Sequence, residues 1–444
     1  MNRDSSSIGS GPSGGGSSHS SVPKVDQMSL GIRSSKVGTT YYAESMAETG
    51  ANDDGASRIT TATSAATQST LRREDGGRYF NVLNDTYFLP SDDDEHARLQ
   101  QHTAITLGLG GLYPAPEVVA SVLAKRDGDP PKVLDLGCGT GIWAISIARE
   151  FPHSQVVGID LSPVPVESDS LPSNCRFEVD DINNGLSHFY DSFDLVHARL
   201  IASGLRDFRK SKAEIEKCLR PGGIMIWMDG DYDILSRDRN IYAIPASDYH
   251  PEGNWLPRFF YEMRRFAVSV GKSDIFTMID VLSAGLWDDD LLDPATCQAA
   301  DLCVPVGAWV TDADPAQNQR LKYIGTLMQH DFKNAHRATH PPLTKAGISA
   351  ETLKEWSKWA DEELTTLEKP MWFRFIYAWG RRRAKAGEPA PSLPKKRESV
   401  DYMPPPYPYF TVFDTPEQAQ ASYAFRNRSK TFRAPPLPPA LQQS

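Results

Sequence analysis

Residues 132–141 read KVLDLGCGTG, and the nine that follow read IWAISIARE. The first five are apolar and strand-length. The last nine space their apolar residues as a helix does, and between them stand Gly137, Gly139 and Gly141. A strand that turns through glycines into a helix is the opening unit of an α/β sheet. The rhythm repeats downstream. Apolar runs at 155–159, 175–179 and 193–196 end on Asp160, on Asp180-Asp181 and on His197. A helix is expected at about 211–219, then a Pro221-Gly222-Gly223 turn and a fifth strand, 224–227. Short strands alternating with helical stretches predict a mostly parallel sheet covered by helices on both faces.

Past the fifth strand, an insertion at about 231–295 contains Leu256, Phe259, Phe260, Met263, Phe266, Ala267 and Val270. Their spacing predicts an amphipathic helix ending at Gly271 that packs on the main domain. A sixth strand is expected at 299–306, helices near 315–336 and 349–367, and a last apolar strand at 372–379, closed by Gly380 and three arginines.

The two ends of the 444-residue chain differ from this middle. Of the first 22 residues, 14 are Ser or Gly, and the last 61 hold 12 of the 33 prolines, compositions unable to bury a core. The expected organisation is therefore a disordered tail over 1–75, one domain over 76–383 and a disordered Pro-rich tail over 384–444. Within the first boundary region, Ser91 followed by four acids is a good helix start. Charge divides in the same way. From Arg381 onward there are 11 Lys/Arg against 5 Asp/Glu, whereas residues 1–380 carry 36 against 52. An acidic body argues against direct nucleic-acid binding. Five cysteines without a CxxC pair predict reduced thiols, and no apolar leader or membrane-length run is present, so the expected location is intracellular, in nucleus or cytoplasm. No His/Cys/Asp/Glu grouping has metal-ligand spacing.

Three successive strand tips present glycines, an acid and an acid. Open α/β sheets bind ligands at these tips. Gly137, Gly139 and Gly141 let the backbone approach a ligand because no Cβ intervenes. Asp160 can accept both hydroxyls of a ribose, and Asp180 or Asp181 the exocyclic amine of an adenine. Nicotinamide-binding loops place glycines at relative positions 1, 3 and 6; here position 6 is Ile142 and the third glycine stands at position 5. Asp135, two residues before the first glycine, would repel a pyrophosphate and welcome an ammonium. S-adenosyl-L-methionine has an ammonium, a sulfonium and no phosphate, and it is the cofactor this charge pattern selects.

The runs DLGCGTG, GIDLS, the acid pair, FDLVHAR and LRPGG together resemble the class I S-adenosylmethionine-dependent methyltransferases over about 80–380. The resemblance implies a Rossmann-like sheet of seven strands with the last antiparallel. Tyr87-Phe-Leu-Pro90, Arg98-Leu99, Gln101-His102, His197-Ala-Arg199 and Pro305-Val-Gly-Ala-Trp309 narrow it to the fungal LaeA-like methyltransferases, which include regulators of secondary metabolism and enzymes that tailor small molecules. Trp227-Met-Asp229 departs from the family, where a glutamate-rich segment is expected. Position by position, the resemblance implies that Asp135, Gly137, Cys138, Gly139, Thr140 and Gly141 meet the methionine end. Asp160 and Leu161 would meet the ribose and adenine edge, and Asp181 and Ile182 the adenine, with Asp180 as alternate. His197 would line the pocket, with Tyr87 and Gln101 closing it. The plainer alternatives stay open: a turn residue at Asp160, loop solvation at Asp180 and Asp181, space filling at Cys138, and a packed, hydrogen-bonded His197.

Methyl transfer is an in-line displacement for which positioning supplies up to roughly 7–11 kcal/mol. A general base adds on the order of 10²–10⁴-fold, and His102 and His197 are its candidates. The methyl acceptor has no readable signature. Three motifs in the tail suggest location or partners: Arg381-Arg382 with Lys395-Lys-Arg397 as an import signal, Pro404-Pro-Pro-Tyr407 as a WW-domain ligand, and Arg433-Ala-Pro-Pro-Leu-Pro-Pro439 as an SH3-type ligand. Three functions are compatible with this sequence: a regulatory methyltransferase, a methyltransferase tailoring a natural product, or a cofactor-binding scaffold acting through its tails.

Overall fold

The structure, a computed structural model, describes residues 71–73, 79–81, 101–166, 170–393, 406–427 and 432–438. Tyr87 and the acid run after Ser91 lie outside the described residues. A short antiparallel hairpin, β1 (Leu71–Arg73) with β2 (Tyr79–Asn81), comes first. Helices α1 (Gln101–Leu109) and α2 (Pro116–Val122) lead into the sheet.

Strands β3 (Lys132–Leu136), β4 (Gln155–Asp160), β5 (Cys175–Val179), β6 (Phe193–Arg199) and β7 (Leu219–Gly230) run parallel. Between them lie α3 (Ile142–Glu150) and α4 (Phe208–Lys217). The insertion forms α5 (Trp255–Ser269) and α6 (Ile275–Ala284). Then follow β8 (Leu292–Val306), α7 (Pro315–Ala338), α8 (His340–Lys345), α9 (Ala350–Thr366), β9 (Met371–Arg382), β10 (Phe410–Phe413) and α10 (Pro416–Asn427).

Among the described residues the main sheet has eight strands, in the order β10-β8-β9-β7-β6-β3-β4-β5. From β3 the chain builds outward through β4 and β5, then crosses back to start β6 on the other side of β3. That reversal opens a crevice at the carboxyl ends of β3 and β6. Along the central strands successive buried residues face opposite cores: Val133, Val156, Leu195 and Ile226 join one apolar cluster, and Leu134, Val157, Val196 and Trp227 the other. A sheet buried on both faces needs this alternation of two apolar sets rather than of apolar and polar.

Two expectations are corrected here. The sheet has eight strands, not seven, and a stretch assigned to the disordered tail supplies the eighth. Phe410-Thr-Val-Phe413 pairs antiparallel with β8, opposite Ala299–Leu302. It satisfies the edge hydrogen bonds that β8 would otherwise expose. Proline composition concealed it, because four aromatic and β-branched residues suffice for an edge strand when a partner edge is waiting.

The docked C-terminal segment is also held by charge. Arg374, fully buried on β9, donates to Asp231 Oδ2 (2.9 and 2.7 Å) and to Asp301 Oδ1 (2.9 Å). Arg426 of α10 reaches the other oxygen of Asp301 at 2.8 Å. Two of the tail motifs are absorbed by the fold. Tyr407 is buried and donates its hydroxyl to the Cys303 carbonyl (3.1 Å), so it is not displayed as a WW ligand. Arg381 and Arg382 belong to β9, where Arg381 is buried and hydrogen-bonded to the carbonyls of Gly222 and Pro391. Lys395 to Arg397 and Pro404 lie outside the described residues.

Candidate functional site

The crevice opens into a cavity of about 200 Å³. Its polar lip is built by the loop after β3 (Gly137, Cys138, Gly139, Thr140), by Asp160, Leu161 and Ser162 after β4, and by Asp180, Asp181, Ile182 and Asn183 after β5. The three strand tips thus meet at one place. The loop's shape depends on glycine. Gly137 has φ +63°, and a Cβ there would stand 2.2 Å from Ile201 Cγ2; Gly141 has φ +73°, and its Cβ would stand 2.5 Å from Phe177 Cζ. Gly141 is not on the cavity wall; it is the N-cap of α3.

Asp160 holds the loop in place. Its Oδ2 accepts from the Gly139 N–H (2.9 Å) and its Oδ1 from the Ser162 N–H (3.1 Å). The same carboxylate lines the cavity, where an acceptor-only group suits hydroxyl donors such as those of a ribose. Asp181 is buried and caps the short 3₁₀ turn Ile182–Asn184, its Oδ1 accepting from Asn183 N (3.0 Å) and Nδ2 (2.9 Å). Burial drives the Cys138 thiol well above its ordinary pKa, with Asp160 and Asp135 adding to the effect, so Cys138 lines the cavity as a neutral thiol.

Asp135 and His197 are placed differently from the expectation. Neither is on the cavity wall. They lie beneath the glycine loop as a buried pair, Asp135 Oδ1 to His197 Nδ1 at 2.8 Å. The imidazole also stacks on Trp143, 3.7 Å between centroids. The packed, hydrogen-bonded alternative for His197 is the one observed. Burial lowers its pKa despite the opposing pull of Asp135. Among the described residues Asp135 Oδ2 is buried without a hydrogen-bond partner. Its charge thus sits just behind the loop, where it favours a cationic ligand by field rather than by contact.

From the N-terminal side, α1 brings Gln101 and His102 to the cavity, where Gln101 donates to Asp331 of α7. Arg199, at the end of β6, donates to His102 Nδ1 at 2.6 Å. Because a guanidinium only donates, Nδ1 is the acceptor and the neutral ring carries its proton on Nε2. Burial, then the charges of Arg199 and His197, lower the His102 pKa to about 2. This leaves His102, on the cavity wall, a neutral donor rather than a base. Arg199 stands within the family-like run but has no role in the sequence reading; only the fold shows that β6 ends at the cavity.

The other wall is apolar: Phe260 and Met263 from α5, Phe332 and Ala335 from α7, and Phe373 from β9. These residues come from beyond 250 in the chain, and no local signal marks them except the helical periodicity of α5. Asp229, in the segment that departs from the family, is fully buried and accepts from the backbone of Ala202 (3.0 Å) and Gly230 (2.9 Å). Burial pushes its pKa up to about 7. Among the described residues no group of three or more metal-binding side chains occurs, and no helix is long and apolar enough to cross a membrane.

Residues 129–252 match a family model described as a methyltransferase domain. The chain is 39% identical over 199 residues to "Secondary metabolism regulator laeA" of Coprinopsis cinerea, covering 44% of this chain and 48% of that protein. It is 30% identical over 172 residues to "Protein-methionine methyltransferase laeA" of Emericella nidulans, 38% and 44% of the two chains. It is 26% identical over 294 residues to "Methyltransferase pytC" of Aspergillus terreus, 66% of this chain and 78% of that one. The chain spans about half the length of the first curated relatives it matches.

Proposed function

From a chain that matches a methyltransferase-domain model over residues 129–252 and resembles the fungal LaeA-like methyltransferases, we propose a class I enzyme that transfers a methyl group from S-adenosyl-L-methionine. The observation that carries this reading is the convergence of the three strand tips on one cavity, with Asp160 bonded to the Gly139 N–H across the lip. When bound, the cofactor supplies a methyl carbon activated by its sulfonium. Asp160 would hold the ribose, Asp181 and Ile182 the adenine, and the 137–140 backbone the amino-acid end, with Asp135 contributing negative charge from below. This chain's own part is binding, orientation and exclusion of water by the apolar wall. With His102 held neutral by burial and Arg199, and His197 off the cavity, the acceptor is a group nucleophilic without a strong protein base.

The apolar wall favours an acceptor that enters as an apolar or thioether-bearing group, compatible with either a protein side chain or a small natural product. A regulatory role in secondary metabolism follows the names of the laeA relatives; the longer match, to a protein named only as a methyltransferase, is compatible with a tailoring role as well. Titration calorimetry with S-adenosylhomocysteine tests the premise. Micromolar binding by the wild type, weakened at least about tenfold in Asp160→Ala, is expected for the loss of two loop-organising hydrogen bonds of about 1 kcal/mol each and of the ribose acceptor. No binding by either protein would refute it. Metabolite profiling of a deletion strain separates the roles: one lost compound class means tailoring, many altered clusters mean regulation.

A further inference from the structure

The SH3-type motif of the tail does not stand free. Residues 432–438 lie against the insertion, and three kinds of contact hold them there. Phe432 meets Tyr261 edge-on at 5.9 Å and 66° and His250 at 6.2 Å and 82°. The Arg433 guanidinium stacks 3.6 Å from the centre of the Tyr249 ring. Arg265 Nη1 donates to the carbonyls of both Pro435 and Pro436, at 3.2 Å each. Arg265 is itself oriented by Glu262, also at 3.2 Å.

Burial along the segment has a period of three. Pro435 and Pro438 are buried, while Pro436 and Leu437 face outward. Three residues per turn is the period of the polyproline II helix, whose carbonyls make no internal hydrogen bonds and await an outside donor. Aromatic rings for the apolar ridge and a side-chain donor for the carbonyls are what proline-recognising grooves supply. The surface made by Tyr249, His250, Tyr261 and Arg265 has both.

We propose that the insertion carries a binding site for a polyproline II peptide, and that its ligand is this chain's own segment Phe432–Pro438, held as an intramolecular latch. The docked segment engages Arg433, Pro435 and Pro438, which a proline-recognising partner would also need, so docking and recognition in trans exclude each other. The latch also reaches the cavity. Tyr261 and Arg265 project from α5 to the segment, and Phe260 and Met263 project from the same helix into the cavity, so the docked tail braces one cavity wall.

The test uses the full chain and a fluorescent peptide spanning residues 430–440, read by anisotropy. A variant with Phe432→Ala, Pro435→Ala and Pro438→Ala vacates the site without altering the insertion. Because a tethered ligand acts at roughly millimolar effective concentration, the vacated variant should bind the peptide about tenfold more tightly than the wild type. Adding Tyr249→Ala and Arg265→Gln to the vacated variant should abolish that binding, with its melting temperature showing that the fold persists. Equal binding by wild type and vacated variant, no binding by either, or binding that survives the two receptor substitutions would each overturn the proposal.

Discussion

Gly137→Ala tests the geometry of the candidate site most directly. Two separate costs follow from the structure. The backbone at φ +63° is left-handed, which costs a residue with a Cβ roughly 1–2 kcal/mol. The new Cβ would also stand 2.2 Å from Ile201 Cγ2, far inside contact distance, and overpacking of this kind costs typically about 1–3 kcal/mol. Only the second cost depends on Ile201. Its own Cβ lies 3.5 Å from the added atom, an ordinary contact, so Ile201→Ala removes the clash and leaves the backbone strain. A double-mutant cycle by urea denaturation should therefore give a favourable coupling of about 1–3 kcal/mol between the two substitutions, with the strain term persisting in the double variant. Calorimetry with S-adenosylhomocysteine on the same proteins should show binding lost in Gly137→Ala and partly restored in the double variant. Additive energies, within about 0.5 kcal/mol, would mean that the loop does not press on Ile201, and the site geometry drawn from it would be wrong.

Three further outcomes are expected. Arg426→Ala should lower stability by about 3 kcal/mol, because one buried oxygen of Asp301 loses its charged partner while Arg374 keeps the other; a neutral effect would show that α10 does not dock. Asp229 has its folded pKa raised to about 7 from 3.8, so the stability it contributes is fully present below about pH 4 and is lost as pH rises through about 7. Between about pH 5 and about pH 8 the wild type should lose roughly 3 kcal/mol more than Asp229→Asn, and equal losses by denaturation would mean that Asp229 stays ionised throughout. Since His102 is lowered to about 2, His102→Gln should change the rate of methyl transfer without removing an inflection between about pH 5 and about pH 9. A lost inflection there would identify His102 as a titrating base.

The sequence alone determined the α/β alternation, the glycine loop and the acids at the tips of β4 and β5. Each is written in a few adjacent residues: an apolar run, a turn that needs glycine, a carboxylate at a strand end. It placed β3 and β5 at their observed bounds: β3 is a largely apolar run buried inside the sheet, and β5, at the sheet's edge, alternates apolar and polar residues and stops at the acid pair. Tertiary structure decided the rest. Asp135 and His197 are 62 residues apart, and only the register of β3 beside β6 makes them a buried pair below the cavity instead of two ligand contacts. The apolar wall and the guanidinium of Arg199 come from segments that meet only when the insertion folds back over the sheet. The C-terminal region shows the same difference most plainly. Its prolines report the absence of a core of its own, yet Phe410–Phe413, Arg426 and Phe432–Pro438 find theirs on surfaces already built, where the edge of β8, the carboxylate of Asp301 and the rings of the insertion offset an ordering entropy that the tail by itself cannot meet.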